Sequence, residues 1–184
     1  MKRLMTLLAA FALTATVAAA DTGEGRKDLQ VFNDISKAVT RYTQFTIFDS
    51  VDASLKDGVV TLTGRVTMPY KKEAIEKRVA KVDGVRQVLD QITVLPVSQF
   101  DDQLRHRIAR AIYSNPNFWN YAIMADPPVH IVVEHSRVTL TGVVQSEVER
   151  MLARSIATSQ FGVMSVTNEL KTDAEAKDAL EKAF

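Results

Sequence analysis

His106, His130 and His135 are the only imidazoles in the 184-residue chain, and it has no cysteine. No two of the histidines stand four residues apart on a helical stripe with a third ligand nearby, so the sequence implies neither a metal site nor thiol chemistry. The acidic pairs Asp101-Asp102 and Glu147/Glu149 fall where helix N-termini favour negative charge, which accounts for them without general acid–base work. No G-x-S-x-G elbow, no G-x-x-x-x-G-K-S/T phosphate loop and no G-x-G-x-x-G fingerprint occurs. The chain therefore reads as non-enzymatic and free of cofactors.

One segment has the composition for a different chemistry. Tyr113-Ser-Asn-Pro-Asn-Phe118-Trp119-Asn-Tyr121 holds the single tryptophan, and Arg105, Arg107 and Arg110 lie on the helix before it. Aromatic rings can enter a lipid headgroup boundary while arginines face anionic lipid, which makes Phe118, Trp119, Tyr121 and the three arginines candidate membrane or partner contacts. The competing expectation is that the aromatics cap a core or pack between units, because such rings bury large apolar areas. A second basic stretch, Lys71, Lys72, Lys77, Arg78 and Lys81, is interleaved with acids and reads as a solvated helix face.

Those residues sit on a repeated frame. Val60-Thr61-Leu62-Thr63-Gly64-Arg65-Val66 recurs as Val138-Thr139-Leu140-Thr141-Gly142-Val143-Val144, and Asp83-Gly84-Val85 is answered by Phe161-Gly162-Val163. In the first copy, apolar residues from Val31 to Tyr42 recur at helical steps. A strand pair follows around the Asp57-Gly58 turn, then a helix opened by Pro69 with a Glu73–Lys77 pair, and a third strand over 85–95. The second copy has a helix from Asp101, strands over 129–134 and 137–144, a helix over 147–159 and a strand over 163–170, with five residues inserted before its first strand.

The spacing predicts an α+β protein of two tandem αββαβ units, each a three-stranded sheet with two helices on one face. Gly58, Gly84 and Gly162 are placed at turns or helix ends that need positive φ, and Gly64 and Gly142 where a helix and a strand approach closely. Ser136 replaces the turn glycine in the second copy, which predicts a looser hairpin or another turn type. The outward sheet face of the second unit, with Val132 and Val143, is the more apolar and the one expected to be covered by the other unit or a partner.

Residues 1–20 join Lys2 and Arg3 to an apolar run from Leu4 to Leu13 and an Ala18-Ala19-Ala20 site, the pattern of a cleaved secretory signal peptide. The predicted divisions after it are an arm over 21–27, units over 28–95 and 100–172, a linker over 96–99, and a tail over 173–184 that forms a short docking helix or a frayed end. Formal charge is +1, from 23 basic and 22 acidic side chains, a poor basis for general nucleic-acid binding.

The pattern V-x-V/A-x-L/V-x-D-G-x-V-T-L-T-G-x-V, followed by a helix and G-V-x-x-V-x-N/D-x-L/I, resembles the BON domain family in two copies. The resemblance spans nearly all of the chain after residue 27. It implies a periplasmic, non-enzymatic module that attaches to anionic phospholipid and supports the envelope under osmotic stress. Envelope proteins, met in a protein-interaction or chaperone-like role, are the alternative partners. Oligomeric state is not implied.

Overall fold

Two copies of one local pattern build two copies of one unit. In the computed structural model, which describes residues 22–183 and the side chains of 28–183, the first unit runs α1 (Thr22–Thr40), β1 (Ser50–Lys56), β2 (Val59–Val66), α2 (Pro69–Val79), β3 (Gln87–Asp90) and β4 (Thr93–Val94). The second runs α3 (Gln99–Tyr113), a 3-10 turn (Pro116–Phe118), α4 (Trp119–Ala122), β5 (Val129–Glu134), β6 (Arg137–Val144), α5 (Glu147–Thr158), β7 (Ser165–Asn168) and β8 (Lys171–Thr172), before α6 (Asp173–Ala183). The signal-peptide segment, Asp21 and Phe184 lie outside the described residues. Residues 22–27, expected as a loose arm, continue α1.

In each sheet the hairpin strands are antiparallel and the third strand runs parallel to the second. The third strand is broken in two, and an Asx-type bond explains the break. Asp90 Oδ1 accepts from Ile92 N at 2.9 Å and Asn168 Oδ1 from Leu170 N at 3.4 Å, which turns Ile92 and Leu170 into the cores. Alternation then sorts the faces. Val60, Leu62 and Val66 meet Ile35, Val39, Ile75 and Val79 in the first core. Val138, Leu140 and Val144 meet Leu104, Ile108, Ile112, Ala153 and Ala157 in the second.

Both hairpins use the same left-handed two-residue turn. Asp57 and Gly58 have φ of 50° and 73°, and His135 and Ser136 have 51° and 63°, so the serine copy is neither looser nor of another type. Buried Asp101 holds it: its carboxylate accepts from His135 N and Ser136 N, each at 2.9 Å. Asp101→Ala would strand two turn amides and is expected to cost about 2–4 kcal/mol in denaturant unfolding. Ser136→Gly, which relieves the positive φ, should add up to about 1 kcal/mol.

Gly64 and Gly142, expected to admit a helix, admit a neighbouring strand instead. A Cβ would lie 2.1 Å from the Ser50 carbonyl oxygen at the first and 1.8 Å from that of Pro128 at the second.

The units are joined through Phe45 to Ser50, which runs along the edge of β5. Ile131 N donates to Ile47 O at 2.6 Å, His130 Nδ1 donates to Asp49 O at 2.6 Å, and Ser50 Oγ meets Thr141 Oγ1 at 2.9 Å. Phe45 stacks obliquely on His130 and Phe48 meets His106 edge to face. Arg65 pairs with Glu134 at 3.5 Å, and Val132, on the outward face between these contacts, is only 2% exposed. The apolar outward face of the second unit is thus covered in part by the first.

A charged node anchors that segment. Asp49 is buried, and its carboxylate accepts from the backbone N and Oγ1 of both Thr46 and Thr67, each at 2.8 Å, and from Lys71 Nζ at 2.7 Å. Lys71 is therefore no part of a solvated face. It is buried, and only its neighbours Lys77, Arg78 and Lys81 are exposed. The second unit replaces the node with a different one, in which the Tyr121 hydroxyl donates to Glu149 Oε2 at 2.7 Å and both accept from Gln145 N. Burial, then the bonded carboxylate, pushes the Tyr121 phenol up to about 12.

Candidate functional site

The second unit has two unlike ends. At the hairpin end, three segments converge: the first turn of α3, the His135-Ser136 turn, and the loop after α5. Asp101 ties the first two, and Met164 N donates to Ser136 O at 2.9 Å to tie the third. Phe100 lies over Gly162, where a Cβ would come within 2.8 Å of its Cζ. Arg107 reaches the same loop, donating to Phe161 O at 3.2 Å.

This packing leaves large apolar side chains in water. Phe161 is 85% exposed, Met164 74%, and Phe100 about half. Alongside, the outward face of α3 forms a groove along the helix, lined by Gln99, Asp102, Gln103, His106, Arg107 and Arg110. The hairpin end therefore sets an apolar tip beside the Arg107 guanidinium. In the first unit the matching positions are Asp83 and Arg86, and Arg86 is spent on the Asp57 carbonyl. That end is polar.

The other end holds the inserted segment, and the six predicted contacts separate there. Phe118 and Tyr121 are buried in the core, as the packing expectation had it, and their rings cannot reach a partner. Arg105 is buried too, donating to Val133 O at 2.8 Å and pairing with Asp102. Trp119 stands 64% exposed, and Ile123 and Met124 after it are exposed too. Arg107 turns to the loop at the hairpin end through Phe161 O, whereas Arg110 stands in the last turn of α3, just before the inserted segment. Of the three arginines grouped with the tryptophan, one is thus buried and one is engaged at the other end of the unit.

Phe100, Phe161 and Met164 were not among the predicted contacts. The signal for two of them was present in the repeat itself, where Phe161 and Met164 stand against Asp83 and Arg86. Among the described residues no group of three or more His, Cys, Asp or Glu could hold a metal ion, and no helix is long and apolar enough to cross a membrane.

The model of a family described as "BON domain" matches residues 34–96 and 100–174. The chain is 30% identical over 104 residues to polyribonucleotide nucleotidyltransferase of Dehalococcoides mccartyi, a match over 56% of this chain that spans 14% of that protein's length. Among solved structures it is similar to CdsD, a structural protein of the type III secretion system of Chlamydia trachomatis, at 13% identity and a TM-score of 0.30, over 84% of this chain and 99% of that one. The C-terminal domain of the same CdsD gives 12% identity and a TM-score of 0.27, over 75% and 94% of the two chains.

Proposed function

The chain belongs to the BON domain family, in two tandem copies, and from that premise we propose a periplasmic protein that associates reversibly with anionic phospholipid and supports envelope integrity under osmotic stress. BON domains are a non-enzymatic family that binds phospholipid and occurs in envelope-stress proteins. The observation that carries the reading here is the exposed Phe161, Met164 and Phe100 tip beside Arg107. Apolar side chains at such a tip can enter the headgroup boundary, each phenylalanine contributing about 1.5–3 kcal/mol when buried. Each arginine near an anionic surface adds about 1 kcal/mol, which falls with salt.

Co-sedimentation with vesicles of phosphatidylglycerol and phosphatidylcholine, against phosphatidylcholine alone, tests this. The expected result is binding to the anionic vesicles only. Phe161→Asp should reduce it by about tenfold or more, while Trp119→Ser leaves it nearly unchanged. Equal binding to both vesicle types, or to neither, would remove the lipid reading.

A protein-interaction or chaperone-like role for envelope proteins is favoured by the opposite end, where Trp119, Ile123 and Met124 are exposed. Val132, only 2% exposed, cannot serve as its contact. In that case Trp119→Ser, and not Phe161→Asp, abolishes partner capture.

A further inference from the structure

The outward face of the second sheet carries a dish that the membrane tip does not use. Its floor is two rows across three strands, set by register: Val132, Thr139 and Thr167 in one, Glu134, Arg137 and Ser165 in the next. Arg65 of the first unit closes one side and His135 of the turn another, around a cavity of about 350 Å³. That is the lower end of the size range for small-molecule sites.

The dish is rich in donors that no protein group engages. The Arg137 guanidinium, the His135 ring and the hydroxyls of Thr139, Ser165 and Thr167 make no side-chain hydrogen bond or ion pair among the described residues. Its single carboxylate, Glu134, is engaged by Arg65 at 3.5 Å. Two guanidiniums against one carboxylate leave a net positive charge, with N–H and O–H groups around it that no protein acceptor occupies. The first unit has no such dish, since Val59, Gln87 and Leu89 stand at the positions of Arg137, Ser165 and Thr167.

We infer that this dish binds a phosphate ester of a small polyol. Planar guanidinium forks match phosphate oxygens two at a time, and a phosphate offers three terminal oxygens where a carboxylate offers two. Hydroxyls on the polyol can both donate and accept, which suits the hydroxyls of Thr139, Ser165 and Thr167. The ester can come from a soluble polyol phosphate or from the glycerophosphate headgroup of a lipid. The inference does not rest on the membrane tip, which lies on Phe100, Phe161 and Met164.

The test is a titration of the isotope-labelled protein with sn-glycerol 3-phosphate, followed by NMR at the Arg Nε–H and backbone amide signals. Glycerol and sodium chloride at equal ionic strength are the controls. Saturable shifts are expected at Arg65, Arg137, Thr139 and Thr167, with binding weakened about tenfold or more in Arg137→Gln. Shifts that never saturate, that chloride reproduces, or that persist unchanged in Arg137→Gln overturn the inference. Phe161→Asp leaves the titration intact, so failure of the membrane reading is separable. Where glycerol phosphate binds, an Arg137→Gln protein that still sediments with anionic vesicles assigns the soluble ester, and one that loses sedimentation in parallel assigns the headgroup.

Discussion

Gly142→Ala will leave the second unit unable to hold its hairpin, with a loss of about 4 kcal/mol or more. The added Cβ would sit 1.8 Å from the Pro128 carbonyl oxygen, far inside contact distance, on a residue whose φ of 112° already disfavours any side chain. Neither side can yield cheaply. Gly142 is opposed to Val129 in the β5–β6 register, and Val143 N donates to the same Pro128 oxygen at 3.3 Å, so a shift that relieves the clash breaks the ladder. Gly64→Ala repeats the conflict in the first unit against Ser50 O, at 2.1 Å and a φ of 119°. Urea unfolding followed by circular dichroism measures both, and a loss under about 2 kcal/mol in either would show that the strands can part without cost.

The repeat made the scaffold legible because its signals are local. Period-two alternation from Val129 to Glu134, period-four steps from Leu104 to Ile112 and the Asp57-Gly58 turn each act within a few residues, and each element formed where that logic put it. Two local expectations failed for non-local reasons. Ser136 keeps the glycine-type turn because Asp101, thirty-five residues earlier, supplies the acceptors for its amide and that of His135. Lys71 left the solvated face because Asp49, twenty-two residues earlier, offered it a buried partner. Nothing in either lysine's or aspartate's neighbours in sequence announces that pairing.

The candidate site was legible only in part, for the same kind of reason. Composition grouped Trp119 with Arg105, Arg107 and Arg110 because they are close in the chain, but Arg105 is buried against Val133 O and Arg107 turns to the Phe161 loop. The apolar tip is assembled from Phe100 and from Phe161 and Met164, some sixty residues apart, over Gly162. Comparing the copies position by position is what exposes such a site. Where a scaffold is duplicated, residues that hold the fold must stay alike, so charge-to-apolar changes such as Asp83 against Phe161 mark surface that the fold does not constrain.

Lys71→Met should destabilise the protein by about 3–5 kcal/mol at neutral pH, because it leaves a buried carboxylate without its counter-charge. Burial acts to raise the Asp49 pKa, but the bonds from Lys71, Thr67 and Thr46 outweigh it and hold the carboxyl below its ordinary value of 3.8. A folded pKa below the unfolded one gives stability that is complete above about 3.8 and is lost as pH falls through the folded value. Without Lys71 the folded carboxyl is expected to titrate higher, so acidification relieves the variant while it weakens the native protein. The stability gap should therefore narrow as pH is lowered from 7 toward 3.5, and a gap independent of pH would assign the loss to packing of the lysine stem. Asp49→Asn/Lys71→Met should recover part of the loss, since the charge that needed pairing is gone. The effect should also cross between units: Asp49 O accepts from His130 and Ile47 O from Ile131, so loosening this segment frees the edge of β5. Native unfolding in a single transition, split into two by Lys71→Met, is the expected signature of that coupling.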